Sequence, residues 1–373
     1  MLWEKCSMKP YQVHLFSDES KIPDFLPSAP FFIYENKRYL NFLVFDCFHL
    51  KNSEHLKEVA TSEIEASGIA PANGSVPVMV ELQKAMAEIK KIDSMLLFPD
   101  EISALFAVFS IFGQKATFFV DYETSPAINN VLQYRNVEYY DHNDLEKLDK
   151  LLSAKSEKVI VIDGVYEWTG SVGPVNALIK TAQENECVII GNELNSFGFL
   201  GREGRGFIDL FNCYDAINIE IGSFNKFLGG FGTYIGAKRY LVNKIKENTS
   251  ALITAFPQFM LSVNLTGLEL IKSGKNHKNT FQKLWKNSRY FITRLKQIGF
   301  STISDTPIIV VSFNNNEEAG EFTKKLFFEQ IIVAQNKERI RLCLSVEHSK
   351  DDIDYCLEKF ESVGKELGIL SSD

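Results

Sequence analysis

"KVIVIDGVYEWTGSVGPVNALIKTAQENECVIIGNE", residues 158–193, decides the fold. Its first apolar run, Lys158 to Tyr166, is short and rich in β-branched residues, as suits a strand buried on both faces. From Val175 to Glu186 apolar residues recur at helical spacing, and Cys187 to Glu193 reads as a second buried strand. Strand, amphipathic helix and strand in that order predict a right-handed crossover between parallel neighbours. Sheets built this way gather ligand-binding groups beyond the carboxyl ends of their strands.

The alternation extends in both directions. Upstream, "KATFFVD" (115–121) and "VEYYD" (137–141) are strands, while "SPAINNVLQYR" (125–135) and "NDLEKLDKLLSAK" (143–155) are helices. Earlier still, Val80, Leu82, Met86 and Ile89 mark an amphipathic helix, and "ALFAVFSIFG" (104–113) a buried one closed by Gly113. Downstream, "DAINIEIGSF" (215–224) is a strand that leads to Lys226. In the first 45 residues, "ENKR" (35–38) reads as the turn of a hairpin between two apolar strands.

Beyond Lys275 the composition becomes more charged. There "FQKLWKNSRYFITRLKQIGF" (281–300), "EEAGEFTKKLFFE" (317–329) and "KDDIDYCLEKFESVGKEL" (350–367) are helices, and "TPIIVVSF" (306–313) and "IRLCLSV" (340–346) are strands. The expected division is an N-terminal arm and hairpin (1–45), a large α/β domain with a mostly parallel sheet (46–272) and a small C-terminal α+β domain with an antiparallel sheet (273–373).

Composition excludes several classes of function. A formal charge of −8 opposes a nucleic-acid partner, which needs clustered cations to displace counterions. Short basic runs such as Lys90-Lys91 read as solvated helix faces. The six cysteines, Cys6, Cys47, Cys187, Cys213, Cys343 and Cys356, show no C-x-x-C spacing and are expected as free thiols of a reducing compartment, with no metal site. The longest apolar run, Ile102 to Gly113, is shorter than the roughly 20 residues that span a bilayer, and no secretion signal is apparent. The chain is therefore expected to have no transmembrane segment.

Four segments, "HNDLEKLDKLL" (142–152), "VIVIDGVYEWTGSVGPVNALIKTAQ" (159–183), "NSFGFLGREGRG" (195–206) and "IGSFNKFLGGFGTYIGA" (221–237), resemble the α-oxoamine synthases, with "ERIRLCLSVEHSKDDID" (338–354) similar to that family's C-terminal segment. The resemblance implies the aspartate-aminotransferase fold (fold type I) and pyridoxal phosphate (PLP) as cofactor. Lys226 stands at the position of the lysine that forms a Schiff base with PLP, a task suited to an amine that loses its proton when partly buried.

Around Lys226 this sequence departs from the family pattern. In "NELN" (192–195), Asn192 replaces the aspartate that keeps the cofactor's ring nitrogen protonated, and Asn195 replaces an active-site histidine. Ser125 replaces a histidine that stacks on the ring, and "LLFPDEIS" (96–103) places Asp100 and Glu101 where a Ser-Gly-Tyr turn would hold the phosphate. Ser223 is a further degenerate cofactor position. Two carboxylates beside a phosphate repel it, though both also suit a helix N-terminus as caps.

These departures resemble the branch of the family formed by the non-catalytic first long-chain-base subunit of serine palmitoyltransferase, although that subunit usually lacks the lysine and usually carries an N-terminal membrane helix. The resemblance implies a heterodimer with a catalytic second subunit, which condenses L-serine with palmitoyl-CoA to 3-ketosphinganine in sphingolipid synthesis at the cytoplasmic face of the endoplasmic reticulum. PLP would be held mainly by that partner, and membrane association would be indirect. Interface candidates are Gly68 and Gly74 in "SGIAPANGSVP" (67–77) and Gly230 in "GGFGTY" (229–234), which plain turns explain equally well. Arg339 and Arg341 fall where the family binds the substrate carboxylate; strand alternation puts both on one face, and either could match. Two other readings remain open: an active homodimeric PLP-dependent oxoamine synthase using Lys226, and a scaffold that kept only the dimerising fold.

Overall fold

The computed structural model describes residues 29–34, 36–43, 45–69, 76–153, 157–226, 228–249, 256–272 and 277–371. Thirteen strands are numbered along the described chain: β1 Phe31–Tyr34, β2 Lys37–Asn41, β3 Ser94–Phe98, β4 Thr117–Asp121, β5 Asn136–Tyr140, β6 Lys158–Asp163, β7 Val188–Asn192, β8 Ile219–Ser223, β9 Thr233–Ala237, β10 Ile308–Ser312, β11 Ile331–Ile332, β12 Ala334–Asn336 and β13 Arg339–Cys343.

Seven of them form the central sheet in the order β3-β9-β8-β7-β6-β4-β5. β8, β7, β6, β4 and β5 pair in parallel, and β9 runs antiparallel to both of its neighbours, β8 and the edge strand β3. The doubly buried strand pattern explains this arrangement. Phe118, Val120, Val159, Val161 and Ile190 point into one core with the helix Glu101–Ser110, whereas Phe119, Ile160, Ile162 and Ile189 point into the other.

That second core is continuous with the C-terminal part of the chain, where β10, β13 and β12 form an antiparallel sheet against the helices His277–Ile298, Asn316–Phe328 and Lys350–Glu366. The N-terminal hairpin β1–β2 belongs spatially with this region, because β2 pairs in parallel with β11 and Arg38 Nη1 reaches Asp352 Oδ1 at 2.6 Å. A third core lies between the helices Pro77–Lys90 and Gln258–Lys272. Among the described residues, no helix is long and apolar enough to cross a membrane.

One expectation is corrected here. Lys90 does not lie on a solvated helix face: it is buried, and its Nζ donates to Glu193 Oε1 at 2.7 Å and to the Arg205 carbonyl at 2.6 Å, with Glu220 Oε2 at 3.9 Å. Burial works against its charge, but the carboxylates of Glu193 and Glu220 outweigh it and raise the Lys90 pKa. Glu193 also accepts from the backbone N–H groups of Phe207 and Ile208, so the cluster ties the turn after β7 to the Pro77–Lys90 helix. Lys91, its neighbour, takes a left-handed cap conformation that ends that helix.

Candidate active site

The parallel strands end in polar residues along one edge of the sheet: Asp121 on β4, Asp163 on β6, Asn192 on β7 and Ser223 on β8. The chain places its chemistry there because the loops that leave this edge are free of the crossover helices.

Asp163 and Asn192 are register partners. Asn192 Nδ2 donates to Asp163 Oδ1, Asn192 Oδ1 accepts from the Leu194 N–H at 3.1 Å, and Thr124 Oγ1 donates to Asp163 Oδ2 at 2.6 Å. The Ser125 backbone N–H also serves Asp163, so Ser125 reaches this group through its main chain. Burial pushes the Asp163 carboxyl up to about 7 against the opposing hydrogen bonds. Opposite such a group an amide is the fitting side chain, since it can donate where a second carboxylate would repel.

Lys226 follows a tight turn in which Ser223 Oγ donates to Asn225 Oδ1 at 2.6 Å and accepts from the Asn225 N–H. Its Nζ lies 3.0 Å from Glu101 Oε1 and 3.0 Å from Asn195 Oδ1, and 5.5 Å from the centre of the Phe45 ring. Glu101 opens the helix Glu101–Ser110, and its N-cap, Asp100, accepts from the Ser103 N–H at 2.8 Å and from Ser103 Oγ at 2.5 Å. Asp100 therefore caps the helix, and Glu101, in its first turn, pins the lysine.

The two arginines of β13 do reach the same side, but to different places. Arg341 pairs with Glu167 and lies between the rings of Phe45, 4.2 Å away, and Trp168, 4.8 Å away. Burial would raise the Glu167 pKa, but the charges of Arg341 and Lys226 hold it below the usual range. Arg339 makes a two-pronged bond to Glu123 and donates to the Trp168 carbonyl at 2.9 Å. Arg341, sharing Phe45 with Lys226, is thus the arginine of the lysine's surroundings.

The interface candidates fare differently. Gly68 is exposed and caps the helix Glu54–Ser67 at φ 75°. Gly74 lies outside the described residues. Gly230 is buried within the chain, where a Cβ would collide with Asn264 Oδ1, so close packing accounts for it and it offers a partner no surface. Sequence reasoning missed Asp163, Glu123, Glu167 and Phe45. A carboxylate that closes the apolar run "VIVID" was the available signal for Asp163; the other three gave none, because their roles depend on distant partners.

Two buried donors, Asn195 Nδ2 and Arg341 Nε, have no hydrogen-bond partner among the described residues. They are compatible with a ligand, but the rest of the site does not fit PLP. The helix N-terminus that would receive a phosphate is already capped by the Asp100 carboxylate, the lysine is ion-paired with Glu101, and the amide of Asn192 is committed to Asp163.

A family model for class I and II aminotransferases matches residues 40–360. The chain is 29% identical to the 8-amino-7-oxononanoate synthase of Fervidobacterium nodosum, over 92% of this chain and 93% of that one. It is 30% identical to the enzyme of the same name from Petrotoga mobilis, over 90% of each. A solved serine palmitoyltransferase from S. paucimobilis, with a bound PLP–myriocin aldimine, superposes with a TM-score of 0.85 at 20% identity, covering 94% of this chain and 93% of that one. With this fold, and with relatives of these names along nearly its whole length, the chain belongs to the class I and II aminotransferase family, on its α-oxoamine synthase side.

Proposed function

We propose that this chain is a degenerate oxoamine synthase that does not catalyse alone and serves as the non-catalytic subunit beside a catalytic chain of the same fold. The observation that carries the reading is the ion pair of Lys226 with Glu101 at the head of the Glu101–Ser110 helix. It engages the amine that the family's chemistry needs, while the adjoining Asp100 carboxylate caps the helix end that would receive an anion. Residues that act as a unit lose most of their effect when one is removed, and here the carboxylate at position 192 is replaced as well. The reaction of the partner would be the condensation of an amino acid with an acyl thioester; L-serine and palmitoyl-CoA are the pair suggested by the likeness to the first long-chain-base subunit.

A second reading, an active oxoamine synthase, is favoured by the 8-amino-7-oxononanoate synthase relatives and by the retention of Lys226 just past β8. One experiment separates the two. The purified chain is incubated with PLP, reduced with borohydride and mapped by peptide mass spectrometry, with Lys226→Ala as control, and CoA release is assayed with and without a co-expressed catalytic chain. The proposal expects no pyridoxyl adduct on Lys226 and turnover only in the pair. A stoichiometric adduct with turnover by the isolated chain would establish the second reading instead.

A further inference from the structure

The loop that follows the N-terminal hairpin runs beside the end of β13. The Cys343 N–H donates to the Phe42 carbonyl at 2.7 Å, and the Val346 N–H donates to the Cys47 carbonyl at 2.8 Å. These bonds hold Cys47 and Cys343 face to face in the core with their Sγ atoms 3.6 Å apart, although 296 positions separate them in the chain. Cys187 and Cys213 differ, each directing its thiol at a backbone carbonyl, that of Asn185 and that of Ile208.

We infer that Cys47 and Cys343 form a redox modification site, a dithiol that a hydroperoxide closes to a disulfide linking the N-terminal loop to β13. The bond needs the sulfurs to approach by about 1.5 Å, to the usual length of about 2.05 Å. Hydrogen peroxide is small enough to enter during local opening. One thiol loses its proton and attacks the peroxide, the O–O bond breaks and water leaves, giving a sulfenic acid. The second thiol then attacks that sulfur, a second water departs, and two electrons have passed from the two thiols to the peroxide. Burial, with the neighbouring Cys343 and Asp46, pushes the Cys47 thiol up, so closure is slow, while the nearby Lys51 acts in the opposite direction.

The site bears on the pocket through its neighbours in sequence. Phe45 stands two residues before Cys47 and Arg341 two before Cys343, and the Arg341 guanidinium rests on the Phe45 ring. A disulfide fixes this wall beside Lys226. The inference is independent of whether the chain catalyses.

The test treats the full chain with millimolar hydrogen peroxide, blocks free thiols by alkylation, and maps unreduced peptides by mass spectrometry alongside thermal unfolding. The expected result is a Cys47–Cys343 linked peptide that forms ahead of any other pairing. It should be accompanied by a rise of about 5 °C in the unfolding midpoint, for a bond that closes so long a loop. Dithiothreitol should reverse both, Cys187→Ser should leave both intact, and Cys343→Ser and Cys343→Ala should abolish both. Should the serine and alanine variants fail to fold, the linked peptide and reversible shift of the unmodified sequence decide alone. Sulfinic acids without a linked peptide, or linkage spread equally over Cys187 and Cys213, would overturn the inference.

Discussion

Asn192 illustrates how a residue that looks like a loss can be a match. Set against the family's aspartate it removes a charge; set against Asp163, its register partner, it donates the hydrogen bond that a buried acid can accept. Asn192→Asp is therefore expected to destabilise the protein by about 2–4 kcal/mol at pH 8, and by about half as much at pH 5. The sign follows from the raised pKa values of two adjoining carboxyls: the folded state retains a proton that the unfolded chain releases, so stability falls as pH rises. Urea unfolding of both forms at the two pH values checks it; an unchanged midpoint at pH 8 would refute the pairing argument. The departure at 192 was legible in the sequence, whereas its pairing with Asp163 was not, because only the sheet reveals which strand end stands opposite.

At the scale of elements, loops at the sheet edge are fixed by contact with the C-terminal part. The turn after β6 contains Gly170 at φ 66°, where a Cβ would run into the Ile308 carbonyl at the start of β10. Ser304 Oγ donates to the Thr169 carbonyl at 2.6 Å, and Thr306 Oγ1 to the Gly170 carbonyl at 2.8 Å. Gly170→Ala is expected to cost about 3 kcal/mol or more, through both the left-handed backbone and the collision. Chemical unfolding measures it directly, and a loss under about 1 kcal/mol would contradict so tight an approach. Strand and helix positions here were legible from periodicity, as in "VIVID" and "VNALIKTAQ". Two- and three-residue strands such as β11 and β12 were not, being shorter than any period that could mark them.

For the molecule as a whole, buried ionisable groups set the pH of greatest stability. Burial pushes Asp46, Asp163 and Glu220 each up to about 7, from ordinary values near 4, so their contribution is complete below about pH 4 and is lost as pH rises through 7. His348 acts oppositely: burial holds it down to about 4, so its contribution is lost as pH falls below its ordinary 6.5. Three such carboxyls outweigh one histidine, so the thermal midpoint is expected to be highest near pH 4 to 5 and to fall as pH rises to about 7. Glu220→Gln and Asp163→Asn should flatten the alkaline side, as differential scanning at a series of pH values would register; a midpoint still rising at pH 8 would exclude these groups as its cause.

The sequence by itself determined the elements, the mostly parallel sheet and the position of Lys226 past a strand end, because burial imposes a period that neighbouring residues carry locally. Only the tertiary structure decided what those residues do. Lys90, expected in solvent, is a buried cation between two acids; Glu101 closes on Lys226; Arg341 rather than Arg339 shares the lysine's aromatic wall; and Cys47 meets Cys343. Each of these is a contact between side chains far apart in sequence, whose energy depends on distance and burial in space, and no local pattern records either.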